Sequence, residues 1–300
     1  MAERILTVGG NKATRLVTEF ERKVVGNEFY VSSVNGDDTH NGRSAAQAVA
    51  TIAACLDLMT ANQDDVMYLM PGHAETISEA GGLALDVAGV TIIGIGAGSL
   101  QPTLTFDTAT TADLDISSAN IVVENVHFRA NFADVVAAID VNADDFTLRG
   151  CRFTEVATDM NAKIWVQDAA ATASDRITIE DCYCIALDAA NTHFINFAGT
   201  GDGHVIRNNV LIGDWGTMAI GGAGVVTNCC VMDNRIYNAA SDNDSCINMA
   251  STATGIVMGN YACGAAAQAN GITATACAVA ENYYGVVSED LSAILEPIAT

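Results

Sequence analysis

Residues 121–125 read IVVEN, 146–150 FTLRG, 177–181 ITIED, 204–208 HVIRN, 229–233 CCVMD, 255–259 GIVMG and 277–281 CAVAE. Each unit places an inward residue, any residue, an apolar residue, any residue, and then an anchor. The anchors Asn125, Gly150, Asp181, Asn208, Asp233, Gly259 and Glu281 follow at spacings of 25, 31, 27, 25, 26 and 22 residues, and VTIIG at 90–94 adds an earlier copy 31 residues upstream. Self-similarity at a period of 20–50 residues is the mark of a solenoid, in which no single unit buries its own apolar face.

Within a unit the period is two. Val123, Leu148, Ile179, Ile206, Val231, Val257 and Val279 stand two positions before the anchors, and Ile121, Phe146, Ile177, His204, Cys229, Gly255 and Cys277 four before. Such alternation describes a strand with one buried face. Asn, Asp and Gly tolerate the left-handed backbone, so each strand is expected to end in a sharp bend; Glu281 departs from that rule. One position later Asn209, Asn234, Asn260 and Asn282 form a column of amides placed to stack and to hydrogen-bond the turn backbone. Three past the anchors, Phe128, Phe153, Cys184, Leu211 and Ile236 point a second strand inward.

Two or three short strands per period, with no helical periodicity after residue 62, predict an all-β chain wound as a single-stranded right-handed parallel β-helix. A βαβ protein would set amphipathic helices of 10–15 residues between its strands, and an antiparallel sandwich would show tight Asn-Gly or Asp-Gly hairpins every 8–12 residues. Eight or nine coils at about 4.8 Å each make a rod roughly 40 Å long. The column before the anchors alternates in sign, Glu124, Arg149, Glu180, Arg207, and then turns apolar at Met232 and Met258. On stacked coils opposite charges are neighbours and contribute about 0.2–1 kcal/mol per pair, so this column reads first as a structural ladder.

Composition narrows the function. The chain has 300 residues, 36 acidic and 13 basic, with net charge -23. That balance argues against a nucleic-acid partner, which needs clustered Lys and Arg. No apolar run reaches the length of a membrane span, and Glu3 and Arg4 interrupt the first apolar patch, so neither a membrane role nor export is expected. Nine cysteines, an odd number with no CxxC pair, read as reduced and buried thiols and not as a zinc site. Five cations, Arg4, Lys12, Arg15, Arg22 and Lys23, fall within residues 1–25, which suits either a solvated leading segment or a docking arm.

Residues 29–77, FYVSSVNGDDTHNGRSAAQAVATIAACLDLMTANQDDVMYLMPGHAETI, resemble the opening module of pectate-lyase-like right-handed β-helix proteins. The features that carry the likeness are Tyr30-Val31, the loop Asn35 to Gly42, Ala50-Thr51-Ile52 within a helix predicted over about 44–62, and the strand Val66 to Gly72. Ile52, Cys55, Leu56 and Met59 form one apolar stripe of that helix, suited to capping the first coil and protecting its edge. The resulting organisation is an arm at 1–28, the opening module at 29–72, coils at 73–287 and a tail at 288–300. The tail, with Leu291, Ile294, Leu295 and Pro297, is expected to cover the last coil or to meet a neighbour.

The resemblance implies two functional classes, virion surface proteins of bacteriophages and polysaccharide lyases or hydrolases, and fold alone does not choose between them. A lyase of this superfamily would set calcium-binding acids beside a basic residue, for which Glu124, Arg149, Glu180 and Arg207 are the stacked candidates. A glycosidase needs two carboxyls about 5–9.5 Å apart, and Arg149 between Glu124 and Glu180 would hold both ionised. Asp202 and His204 lack the companions of a polygalacturonase-like site, and His204 falls in an inward column. Asn35, Asp37, Asp38, Thr39 and Asn41, like Asp242, Asn243 and Asp244, offer oxygens in the manner of turn loops, without EF-hand spacing. Trp165, Trp215, Tyr183, Tyr261 and Tyr283 are the candidates for a sugar-stacking surface.

The expectation is thus a non-enzymatic phage structural protein of the capsid-decoration type. It would be made in the host cytoplasm, form homotrimers on the virion and dock on the major capsid or another virion protein through its arm, with no cofactor, metal, nucleic acid or membrane. The rival is a carbohydrate-active tail spike or lyase acting on host glycans, and a glycan-binding adhesin is a third reading.

Overall fold

The computed structural model describes residues 26–157, 159–168, 173–240, 244–264, 271–286 and 296–297. Three sheets of ten, ten and eight strands, parallel except for the last strand of the second, wrap around one core. One coil shows the plan: Val122–Glu124 lies in sheet 1, His127–Ala130 in sheet 2 and Ile139–Val141 in sheet 3, and Thr147–Arg149 then re-enters sheet 1 one level up. The chain is a parallel β-helix of about eight turns. Leu148 is in register with Val123 below it and Ile179 above it, so the repeat seen in the sequence is the stacking repeat of the structure.

The inward columns are buried as the alternation requires. Phe128 and Phe153 are fully covered and stack at 5.2 Å between ring centres. Phe194 meets Phe153 edge-on at 5.2 Å, and Trp215 continues the pile at 6.4 Å from Phe194. A buried aromatic of this kind contributes about 1.5–3 kcal/mol through the area it removes from water, and offset or edge-on ring pairs add somewhat more. Trp165 and Trp215 are both 0% exposed, so they are core residues and not part of a sugar-stacking surface.

The anchors bend the chain from sheet 1 to sheet 2. Asn125, Gly150, Asp181, Asn208, Asp233, Gly259 and Glu281 all have φ between 54° and 67°. The early copy differs: Gly94 is a strand residue in register with Leu69, and the bend is made further on, at Gly96 and Gly98. A second bend, from sheet 3 into sheet 1, lies five residues before the anchors at Gly89, Asn120, Asp145, Arg176, Gly203 and Asn228, all with positive φ. Arg176, at φ 57°, hides this column from a composition-based reading.

The asparagine column forms as expected. Asn209, Asn234, Asn260 and Asn282 are at most 2% exposed. Each of the first three donates its amide to the Oδ1 of the next at 2.9–3.0 Å. Each Nδ2 also reaches a strand carbonyl of the coil below, as Asn234 does with Ile206 O at 3.0 Å. The ladder therefore satisfies backbone groups at a buried corner, where an orphaned donor or acceptor costs about 1–3 kcal/mol.

The opening helix is much shorter than predicted. Only Ile52–Leu56 is α-helical, preceded by a 3₁₀ turn at Ala45–Gln47. Ala48 and Thr51 are extended, because Val49 leaves the helix to bridge Val31 in parallel and so prolongs sheet 1. The apolar stripe survives, with Ile52, Cys55, Leu56 and Met59 all buried over the first coil. At the other end Glu296–Pro297 pairs antiparallel with Tyr283 and Tyr284, placing this part of the tail on the edge of sheet 2. All nine cysteines are free; six are buried, and burial pushes the Cys55 and Cys246 thiols up to about 12.

Candidate functional site

The charged column lies on the outer side of sheet 1, where Glu124, Arg149, Glu180, Arg207, Met232 and Met258 are successive register partners. Arg149 sits between two acids, with Nη1 donating to Glu124 Oε1 at 2.8 Å and Nε to Glu180 Oε1 at 2.5 Å. Arg207 takes the other oxygen of Glu180, with Nε and Nη2 at 2.6 and 2.5 Å from Oε2. The Glu180 side chain is 5% exposed while the two guanidiniums are about half exposed. Burial alone would raise the Glu180 carboxyl, but hydrogen bonds from Arg149 and Arg207 outweigh it and hold the group below the ordinary carboxylate range. Glu180 is thus ionised at neutral pH with both oxygens engaged, and it offers no proton for general acid chemistry.

The other sequence candidates separate. Asp202 turns to the bend, its Oδ1 accepting from Thr227 Oγ1 and Asn228 Nδ2, both at 2.6 Å. His204 is buried under Phe197, and its Nδ1 accepts the Ile177 backbone N–H at 3.2 Å. The imidazole proton is therefore on Nε2, which faces Asp168 Oδ2 at 4.0 Å. In the opening loop Asp38 Oδ1 accepts from the Ala50 and Thr51 backbone and Asp37 Oδ1 from Thr39 N, so these acids brace the loop. Asp242 and Asn243 lie outside the described residues, as do Arg4, Lys12, Arg15, Arg22 and Lys23. Among the described residues no group of three or more His, Cys, Asp or Glu stands together as a metal site, and no helix is long and apolar enough to cross a membrane.

Three polar arrangements were not read from the sequence. His73 is buried, with Nδ1 accepting from Ser33 N at 3.0 Å and Nε2 3.0 Å from Glu75 Oε1, which also accepts the Ile52 backbone N–H. This joins the first strand, the capping helix and sheet 2. Glu155 is pushed up by burial, yet it accepts from Leu187 N, Asp188 N and Asn191 Nδ2 and so holds a loop. Arg176 gathers Asp144, Asp145 and Asp175 around the second bend. Apart from His73–Glu75 and Arg176–Asp175, these partners are 23–40 residues apart in sequence, a separation that only the coil repeat makes visible.

Of the five aromatic candidates, Tyr183, Tyr261 and Tyr283 share the outer side of sheet 2, where the rings of Tyr261 and Tyr283 stack at 5.2 Å. Tyr237 joins them there.

No protein-family model matches the chain, and no curated protein matches it in sequence. Among solved structures it is similar to a pectate lyase Pel9A, at 12% identity over 87% of this chain and 75% of that one, with a TM-score of 0.47. A rhamnogalacturonan lyase matches at 10% identity over 79% and 74%, with a TM-score of 0.45. A lacto-N-biosidase of family GH136 from Eubacterium ramulus matches at 12% identity over 89% and 69%, with a TM-score of 0.37. No side-chain role is carried from these proteins to this chain.

Proposed function

We propose that this protein is a non-enzymatic structural component of a bacteriophage particle, a capsid-decoration protein whose β-helix stands on the capsid surface as a homotrimer. Its basic leading segment, with Arg4, Lys12, Arg15, Arg22 and Lys23, docks it on the major capsid or another virion protein. The observation that carries the non-enzymatic part is the closure of the ladder: Arg149 and Arg207 engage both oxygens of Glu180, and Arg149 also holds Glu124. A lyase base must be free to take a proton and a glycosidase acid must be protonated, and this arrangement favours neither state. The phage assignment is supported by the sequence likeness of the opening module and by the concentration of positive charge ahead of an acidic body.

The test mixes purified protein with capsids assembled without it and follows co-sedimentation, alongside a full-length variant with the five arm cations replaced by serine. Stoichiometric binding by the parent and its loss in the variant are expected. No binding by the parent would contradict the reading. Release of unsaturated products or new reducing ends from acidic polysaccharides, abolished by Arg149→Ala in a folded protein, would replace it with the enzymatic one.

A further inference from the structure

Charge on this molecule is sorted by face. Beyond residue 25 the chain has eight basic side chains. Arg149, Lys163, Arg176 and Arg207 lie against carboxylates, and Arg43 lies over the Phe29 ring at 4.3 Å. The other three, Arg129, Arg152 and Arg235, have no carboxylate partner among the described residues, and all three alternate with buried residues on the outer side of sheet 2. Tyr183, Tyr237 and Tyr261 on that side are 38–49% exposed. From Thr103–Phe106 through Tyr283–Val286 no outward position of this sheet is acidic, although the chain has 36 acidic residues. Exposed tyrosine and arginine beside Ile185, Val210 and Ile212, with aspartate, glutamate and lysine absent from these outward positions and Glu155 and Asp188 lining a groove next to Arg152, approach the composition of a protein–protein interface core.

Sheet 3 is the opposite. Asp115 and Asp140 are register partners on its outer side, with Asp113 and Asp86 flanking them and no cation within salt-bridge distance among the described residues. Like charges on adjacent strands repel; burial first, and then this repulsion, holds the Asp113 and Asp140 carboxyls above their ordinary range. The two charged clusters overlap in height at one coil. Arg129 and Asp140 belong to the same coil, Arg152 to the next and Asp115 to the one before. A rotation about an axis parallel to the solenoid preserves height, so it sets Arg129 against Asp140, with Arg152 one coil above that pair and Asp115 one coil below it.

We infer that the outer side of sheet 2 in one copy docks on the outer side of sheet 3 in the next, with Arg129 against Asp140 and with Arg152 and Asp115 adding their charge one coil to either side. Two different faces meet, so the contact is heterologous and closes only as a ring of three or more copies. This rests on the self-assembly part of the function proposed above and assigns its interface.

Light scattering after size exclusion tests it on the full chain. A mass at least three times 31.2 kDa is expected at about 0.1 M salt, with at least tenfold weaker association at about 1 M, where the screening length falls from about 10 Å to about 3 Å. Arg129→Glu with Arg152→Glu should yield monomers, as should Asp115→Lys with Asp140→Lys, and the chain carrying all four changes should assemble again. Far-UV circular dichroism and melting of each variant separate loss of contact from loss of fold, and reassembly of the fourfold variant excludes the latter. A monomeric parent, or assembly indifferent to either pair, would overturn the inference. So would a monomer whose Arg129 and Arg152 variants lose binding to polygalacturonate, which would make the face a glycan site. Failed capsid binding with the ring intact would count against the virion role alone.

Discussion

Asn209 donates its side-chain amide to Oδ1 of Asn234, one coil further on, at 2.9 Å, and the same oxygen accepts the Asn209 backbone N–H at 3.1 Å. One oxygen thus serves both the side chain and the backbone of the coil below it. Earlier coils fill the column with Cys151 and Cys182, whose thiols point at the carbonyls of Val123 and Leu148 as Asn209 points at Ile179.

Asn234→Ala removes acceptor and donor together and strands the Asn209 N–H and the Ile206 carbonyl at a buried corner. A loss of about 2–4 kcal/mol is expected by urea unfolding. Asn209→Cys, which copies the coil below, should cost less than Asn209→Val.

Two glycines are expected to respond in opposite ways. A Cβ on Gly213 would lie 2.2 Å from the Trp215 ring, so Gly213→Ala should destabilise by about 1–3 kcal/mol as an overpacked core does. Gly150 has φ 60° and open space around it, so Gly150→Asn should be nearly neutral while Gly150→Val costs about 1–2 kcal/mol from the left-handed backbone. Thermal melts of the three variants read this directly.

Burial holds His204 at about 4, below the usual histidine value. The unfolded chain takes up the proton near pH 6.5 and the folded one near 4, so the stabilisation is complete above about 6.5 and is lost as pH falls towards 4, on the order of 3 kcal/mol. Asp168, held above its ordinary range chiefly by burial, works in the opposite sense. The His204 ring should therefore be followed by itself: its Cε1–H resonance should stay unmoved between about pH 7.5 and 5. Titration near pH 6.5 would place the ring in solvent.

Much of this architecture could be read from residue order because stacking repeats a local pattern. Inward columns such as Val123, Leu148 and Ile179 and corner residues such as Asn125 and Asp181 are each specified by the next few atoms of chain. The short helix at Ile52–Leu56 was overestimated because Val49 pairs with Val31, a tertiary contact that helical spacing does not reveal. The second bend is not legible as a Gly or Asn column because Arg176 occupies one of its left-handed positions. Trp165 and Trp215 read as candidates for a ligand platform because their local pattern does not mark them as inward; they pack next to Phe153 and Phe194.

The column of Glu124, Arg149, Glu180 and Arg207 is read here as a strut between coils, and a double-mutant cycle on Arg149 and Glu180 tests that reading most directly. Arg149→Ala and Glu180→Ala should each destabilise the fold in urea, with a coupling of about 1–2 kcal/mol, moderated by the half-exposed guanidinium and reduced in salt. A coupling below about 0.3 kcal/mol, or a gain in stability from either single change, would mean that these charges are kept for something other than holding the coils together.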